Sequence, residues 1–248
     1  MPLSARNILT ILRRELYGYF STPIAYVFIV IFLFLMGIFT FYVGSLYERN
    51  QADLAPFFNF HPWLYLPLIP ALSMRLWSEE RRSGSIELLI TLPISTADAV
   101  IGKYLAAWIF TGFALALSFP MWITVNYLGE PDNTVILSGY IGSLLLAGGF
   151  LAIGACVSAL TKSQVVAFVI SVVICFLFIM SGFPLVLDFF RGWAPQAVVD
   201  AIASFSFFSH FESIKKGVID LRDLIYFATL IAVWLYANVV AVELKKGT

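Results

Sequence analysis

The sequence predicts an all-α membrane protein with six transmembrane helices. Of its 248 residues, 60% are hydrophobic and only 12% are charged, and the mean hydropathy is +0.91. Soluble domains carry about a quarter charged residues, so the composition excludes that class. Apolar stretches long enough to cross a bilayer recur along the whole chain. We place the spans at about 24–46, 57–76, 96–125, 135–160, 164–187 and 224–242, in a single permease domain covering 1–248.

An amphipathic segment, residues 4–20, precedes the first span. Its apolar residues recur at steps of three and four, whereas Arg13 and Arg14 lie on the opposite face, next to Glu15. This pattern predicts an interfacial elbow helix with its arginines toward lipid phosphates. Two roles stay open: an elbow that also contacts a partner, or a plain anchor.

The second span contains Pro62, Pro67 and Pro70. Proline removes a backbone donor, so we expect this helix to be kinked or locally broken. The kink could mark a moving part. Prolines are also ordinary in membrane helices, where neighbouring groups satisfy the freed carbonyls.

Ser95 and Asp98 have the spacing of a reciprocal helix cap, and they open the third span. We expect the first turns of that span, including Lys103, to project beyond the hydrocarbon. The fourth span is rich in small residues at four-residue spacing, for example Gly154 and Ser158. Such spacing lets backbones approach closely, which predicts a span inside the bundle or at a subunit contact.

Residues 188–223 are too polar for a full span and too apolar for a free loop. They predict a pair of short helices that dip into the outer leaflet, with a surface-lying amphipathic segment as the alternative. Most of the 15 lysines and arginines lie in segments that are inside if the N-terminus is inside. Both termini and the loop after the second span are therefore predicted to be cytoplasmic.

The chain lacks the motifs of an ATPase or a metalloenzyme. It has no GxxxxGK[ST] phosphate loop and no HExxH, and its two histidines, His61 and His210, are expected to be isolated interfacial residues. Cys156 and Cys175 fall in apolar stretches and predict small buried side chains. Asn126 and Asn238 predict hydrogen bonds between helices. No charged residue lies at a span centre, which argues against an ion-coupled carrier.

The loop from Trp77 to Ser95 is the longest strongly charged segment between two spans. Its acids and bases are followed by a short leucine-rich run, which predicts a surface helix with an apolar face. If the chain transports, its energy must come from elsewhere, and this loop is where a partner could deliver it. A solvated charged loop is the alternative.

Several stretches together resemble the membrane subunits of type 2 ABC exporters, the ABC-2 permeases. They are LRRELYGYF in the elbow, EERRSGSIELLITLPIS in the loop, and the Gly102–Lys103 pair. Within that family, SFFSHFESIKKGVIDLRDLIYF is similar to gliding-motility-associated permeases and, more distantly, to those of nitrous oxide reductase maturation.

The resemblance implies a six-span permease in a bacterial plasma (inner) membrane. Its partners would be an ABC ATPase, a second permease subunit and lipid, without nucleic acid. It would bind no cofactor itself, because ATP and Mg²⁺ would belong to the ATPase. The residues implied to couple to the ATPase are Glu79, Glu80, Arg81, Arg82, Gly84, Glu87, Leu88, Leu89 and Pro93, with 86–92 as the coupling helix. Those implied in an outer gate are Pro195, Phe207, Phe208 and His210.

The resemblance leaves one functional alternative open. A mechanical or assembly protein would use the same ATPase contact without moving a substrate. The two differ in whether ATP turnover is accompanied by flux.

Overall fold

The computed structural model describes residues 3–86 and 94–245, and within these ranges every regular element is a helix. The first group is α1 (Ala5–Phe20), α2 (Pro23–Ile38) with a π-helical continuation (Phe39–Val43), α3 (Ala55–Asn59), α4 (His61–Ser73) and α5 (Arg75–Ser83). The second is α6 (Thr96–Ala116), α7 (Phe119–Leu128), α8 (Asn133–Leu160), α9 (Gln164–Met180), α10 (Pro184–Arg191), α11 (Gln196–Ser204), α12 (Phe207–Lys215) and α13 (Leu221–Leu244). The all-α prediction is confirmed.

Four helical segments in the described ranges are long and apolar enough to cross a membrane. They are Pro23–Val43, Thr96–Leu128, Asn133–Leu160 and Leu221–Leu244, and the bent pair α9 and α10 makes a fifth if it is one span. The predicted count of six is not confirmed, because the predicted span 57–76 is divided among α3, α4 and α5. Proline accounts for one of the breaks, because Pro62 lies in the first turn of α4, whereas α4 continues through Pro67 and Pro70.

The fifth predicted span ends earlier than its hydropathy indicated. Helix α9 ends at Met180, and the chain bends by 70° into α10 instead of continuing to residue 187. Pro184 begins α10, and Gly182 packs so closely against Ser206 that a side chain there would overlap it. The bend is therefore built from residues that favour a turn and a close contact.

Helix α8 is the centre of the bundle. It packs against α4, α5, α6, α9, α12 and α13, and 83% of its most apolar window is buried. Its small residues permit this: Gly148 faces the rings of Tyr104 and Trp108, and Gly149 faces Phe207. Of the two predicted locations for this span, the interior of the bundle is the observed one.

Candidate functional site

The charged residues after the second predicted span are helical. Glu79, Glu80, Arg81 and Arg82 lie on α5, and Gly84 ends this helix with a left-handed φ of 74°, a conformation that favours glycine. The remaining predicted coupling residues, Glu87, Leu88, Leu89 and Pro93, lie outside the described residues. The structure therefore describes how the chain enters the predicted coupling helix.

One residue of α8 satisfies the first turn of α5. Ser158 Oγ accepts hydrogen bonds from the backbone N–H groups of Trp77 and Ser78, both at 3.1 Å, and donates to the carbonyl oxygen of Met74 at 2.7 Å. The first N–H groups of a helix have no partner within the helix, so Ser158 does the work of an N-cap from a remote position. The side chain of Trp77 is fully buried there.

The last turn of α8 also receives two long cationic side chains. Arg81 donates to the carbonyl oxygen of Ala159, and Lys245 Nζ donates to that of Leu160 at 2.7 Å. Carbonyl groups at the end of a helix lack partners within it and carry its negative partial charge, so both contacts are favourable. The end of α8 thereby joins α5 to Lys245, the residue that follows α13.

Four charged residues from three helices form what we call the charge cluster: Arg14, Glu15, Glu80 and Lys103. Lys103 Nζ lies 2.8 Å from Glu80 Oε1 and 3.2 Å from Glu15 Oε1. Arg14 Nη2 lies 2.6 Å from Glu15 Oε1 and 3.6 Å from Glu80 Oε1. The cluster ties α5 to both α1 and α6.

Lys103, in the first turns of α6, is buried against protein. Its side chain is only 3% exposed, and its ammonium nitrogen lies 5.3 Å from the centre of the Trp77 ring. Helix α1 packs along the first turns of α6 and covers them. A buried ammonium group needs acidic partners, and Glu15 and Glu80 provide them.

The environment of Glu15 favours its charged form. Burial opposes ionisation of the carboxyl group, but the nearby Lys103 and Arg14 outweigh it, so the pKa of Glu15 is lowered. Glu80 keeps one oxygen, Oε2, buried without a hydrogen-bond partner among the described residues. The cluster is thus an ion-paired contact that is not fully satisfied.

A second set of contacts holds α1 to α6. The predicted cap is confirmed: Ser95 Oγ accepts from the Asp98 N–H at 3.0 Å, and an Asp98 oxygen accepts from the Ser95 N–H at 3.3 Å. Asp98 also accepts from the Ser4 N–H at 2.9 Å, at the start of α1. Further along, Gly102 lies directly under Ile11. The apolar face of the predicted elbow helix therefore packs on protein, while Arg13 and Arg14 are exposed.

A cavity of about 720 Å³ adjoins the charge cluster. Its lining includes apolar residues of α2 and α4, such as Phe28, Ile31 and Leu72, and also Glu15, Glu80 and Lys103 of the charge cluster. The cavity thus has both apolar and charged lining residues.

Three of the four predicted outer-gate residues lie on α12, and the fourth, Pro195, directly precedes α11. Phe207 is fully buried and stacks on Phe150 with ring centres 5.0 Å apart, whereas Pro195 is exposed at the start of α11. Phe208 is half-buried, with its ring centre 5.9 Å from that of Phe183. His210 is buried and paired with an acid, described below, so the expectation that it is isolated is wrong.

The structure also gives the surroundings of the other polar residues and of the cysteines for which the sequence predicts a role. Asn126 donates to Asn133 Oδ1 at 3.0 Å, which joins α7 to α8 as predicted. Asn238 is buried, and neither its side-chain oxygen nor its nitrogen has a hydrogen-bond partner in the part of the chain described. His61 is fully buried within the protein. Cys156 and Cys175 are free and buried, which confirms the prediction.

Sequence reasoning missed Ser158 and Trp77 as members of the site. The small size of Ser158 predicts a role in helix packing, and nothing local in the sequence distinguishes a packing serine from a capping one. Trp77 carries a weak signal, because a tryptophan at the start of a charged segment needs a surface on which to bury its ring. Among residues 3–86 and 94–245, no group of three His, Cys, Asp or Glu side chains could hold a metal ion.

Comparison with known protein families identifies the class. Residues 56–242, which are more than half of the chain, match the family described as ABC-2 family transporter protein. No curated protein matches the sequence. With its membrane-spanning helices and this family match, the chain belongs to the ABC-2 transporter family, as a multi-pass membrane subunit of an ABC transport system.

Proposed function

We propose that this chain is the six-span permease half of an ATP-driven exporter in a bacterial inner membrane. A separate ATP-binding subunit docks on the loop 77–95, and a second permease subunit, identical or related, completes the pore. ATP and Mg²⁺ bind to the partner. Both termini of the permease and the docking loop face the cytoplasm.

The way α5 is fastened is the observation that supports this proposal most. This helix leads into residues 87–93, and it is bonded to α8 through Ser158 and Arg81 and to α1 and α6 through the charge cluster. These contacts are mostly buried and continuous, which is the physical requirement for passing a displacement from one element to another. A movement of the loop would displace three helices together.

The transport step we propose is a change between two conformations of the permease pair. ATP binding to the partner favours one of them, because the docked loops approach each other when the ATPases close. Residues 188–223 form part of the outer gate in this scheme. The energy comes from the partner because this chain has no phosphate loop.

The docking step is tested by co-purification of the permease with candidate ABC ATPases from the same organism. The double variant Glu87→Arg, Leu89→Lys reverses the charge and removes the apolar face of the proposed coupling helix. We expect it to abolish both the complex and permease-stimulated ATP hydrolysis. The control variant, Glu48→Arg with Tyr47→Lys, alters exposed residues before α3 and should keep both. A complex that survives the first variant with normal stimulation contradicts the docking site.

Export and force transmission are separated by a second measurement. Sealed vesicles containing permease and ATPase are supplied with ATP, and both phosphate release and substrate movement are followed. Export requires flux that depends on ATP hydrolysis. ATP turnover without flux would assign the chain to force transmission, and uptake by the permease alone under a proton gradient would contradict ATP coupling.

A further inference from the structure

A buried histidine and a buried aspartate meet where α11, α12 and α13 come together. His210 Nδ1 lies 2.6 Å from Asp223 Oδ1, in the first turn of α13. On the other side of the ring, Nε2 lies 3.2 Å from the backbone carbonyl oxygen of Ser204, the last residue of α11. His210 itself is on α12, so its ring connects all three helices.

Both ring nitrogens of His210 face oxygen atoms that accept hydrogen bonds. The Ser204 carbonyl can only accept, so Nε2 must carry a proton. The contact with Asp223 needs a second proton, either on Nδ1 or on the carboxyl group. A neutral imidazole beside an ionised carboxylate has one proton for two bonds. The observed geometry is therefore complete only when the pair holds one extra proton, whichever group carries it.

Few other charges surround this pair. Tyr226 stacks on the His210 ring with centres 3.9 Å apart, and its hydroxyl donates to the Phe205 carbonyl oxygen at 2.6 Å. On α12 itself, Glu212 is occupied by Lys215 and Lys216. Helices α8 and α9, which also pack on α12, carry no charged side chain. On α11, the exposed Asp200 accepts a hydrogen bond from Gln196. Before α13, Asp220 accepts one from the Arg222 N–H.

Arg222 is the charged residue that lines the same cavity as His210. The cavity has a volume of about 570 Å³, and the exposed residues Ser204 and Arg222 form part of its wall. It gives protons a path to the pair. If the extra proton is on the ring, the carboxylate of Asp223, 2.6 Å away, balances the imidazolium charge.

We propose that His210 and Asp223 form a proton-binding site that holds α11 and α12 against α13 when it is protonated. As the pH rises and the proton leaves, one of the two ring contacts is lost and the helices separate more often. The site itself does not depend on an ATPase. Its consequence, an outer gate that opens more readily at higher external pH, rests on the proposed function.

Hydrogen exchange tests the site without any transport assay. The purified protein in lipid nanodiscs is compared at about pH 5 and about pH 8, the interval in which histidine changes charge. Protection factors, which remove the intrinsic effect of pH on exchange, are measured for residues 204–215. We expect protection to fall about tenfold at the higher pH, as expected when one charge-assisted hydrogen bond is lost.

The chain offers a matched control, because His61 is its other histidine. The pH dependence of protection should persist in His61→Gln and disappear in His210→Asn and in Asp223→Asn. The proposal is overturned if the protection of the wild type is the same at the two pH values. It is also overturned if the pH dependence survives in both His210→Asn and Asp223→Asn.

A measurement on the wild type covers the case in which the variants do not fold. With only two histidines, ¹⁵N-histidine spectra resolve each ring and report its protonation. Two N–H groups on His210 at about pH 5 and one at about pH 8, together with the loss of protection, support the site. If the His210 ring is neutral at both pH values, the site is supported only when protection still falls as the pH rises. In that case the proton is on Asp223. A neutral ring with constant protection overturns it.

Discussion

At the scale of single residues, the hydroxyl group of Ser158 makes three hydrogen bonds to the chain around the start of α5. Replacing Ser158 by alanine leaves buried backbone groups without partners, so we expect Ser158→Ala to lower the free energy of unfolding by about 2 kcal/mol. Ser143→Ala is the control. Ser143 is equally buried on α8, but its hydroxyl donates to Gly139 of its own helix, so we expect a cost below about 1 kcal/mol. Equal losses in detergent unfolding experiments would contradict the capping role.

The buried ion pairs of Lys103 give a second prediction about stability at this scale. Removing one side of a buried ion pair leaves the other charges uncompensated, so Lys103→Met should cost about 3 kcal/mol of unfolding free energy. Adding Glu80→Gln removes one of the charges left behind and should recover a large part of that loss. If the double variant is less stable than Lys103→Met, the ion pair is not what the lysine contributes.

Acid should weaken the charge cluster through Glu15. The pKa of Glu15 is lowered in the folded protein, so the carboxylate binds fewer protons folded than unfolded. Its contribution is complete above the ordinary glutamate pKa of about 4.3 and is lost as the pH falls through the lower folded value. We therefore expect the stability difference between wild type and Glu15→Gln to disappear at low pH. A stability difference that persists at low pH would contradict this prediction.

At the scale of helices, the contact between α1 and α6 depends on one glycine. A Cβ atom at Gly102 would lie 2.8 Å from Ile11 Cγ2 and 3.2 Å from the Ile8 carbonyl oxygen, both on α1. Gly102→Ala should therefore push the helices apart and cost about 1–3 kcal/mol of unfolding free energy. Gly37→Ala, on α2, has no neighbouring atom within 4 Å and should be neutral or stabilising by up to about 1 kcal/mol. A neutral Gly102→Ala variant would show that α1 is held loosely.

Helices were predictable to different degrees. The sequence predicts α8 almost in full, as a span inside the bundle or at a subunit contact, because a long apolar stretch with spaced small residues has few alternatives. α5 was not expected, since its charges read as a loop. Its helical state depends on Ser158 and the charge cluster, whose members are distant in sequence.

At the scale of the whole molecule, the predicted topology puts one end of the bundle in the cytoplasm and the other end outside the cell. Arg82 and Lys162 lie next in sequence to the end at which Arg81 donates a hydrogen bond to the Ala159 carbonyl oxygen. Gln51 and Glu130 lie next in sequence to the close contact between Ala52 and Gly129. We expect a membrane-impermeant thiol reagent on intact cells to label Gln51→Cys and Glu130→Cys but not Arg82→Cys or Lys162→Cys. The native Cys156 and Cys175 are buried and are replaced by serine beforehand. The reverse labelling pattern would invert the assigned orientation.

The sequence by itself determined that this is an all-α, multi-pass membrane chain, and it identified the cap of α6, the central span and the charged loop. Each of these follows from composition or from residues close together in the chain. Tertiary structure alone decided that Lys103 is buried between two acids, that Ser158 caps another helix and that His210 faces Asp223. The reason is physical: the charge state and exposure of a side chain depend on which distant helices surround it. Local periodicity carries no record of those neighbours.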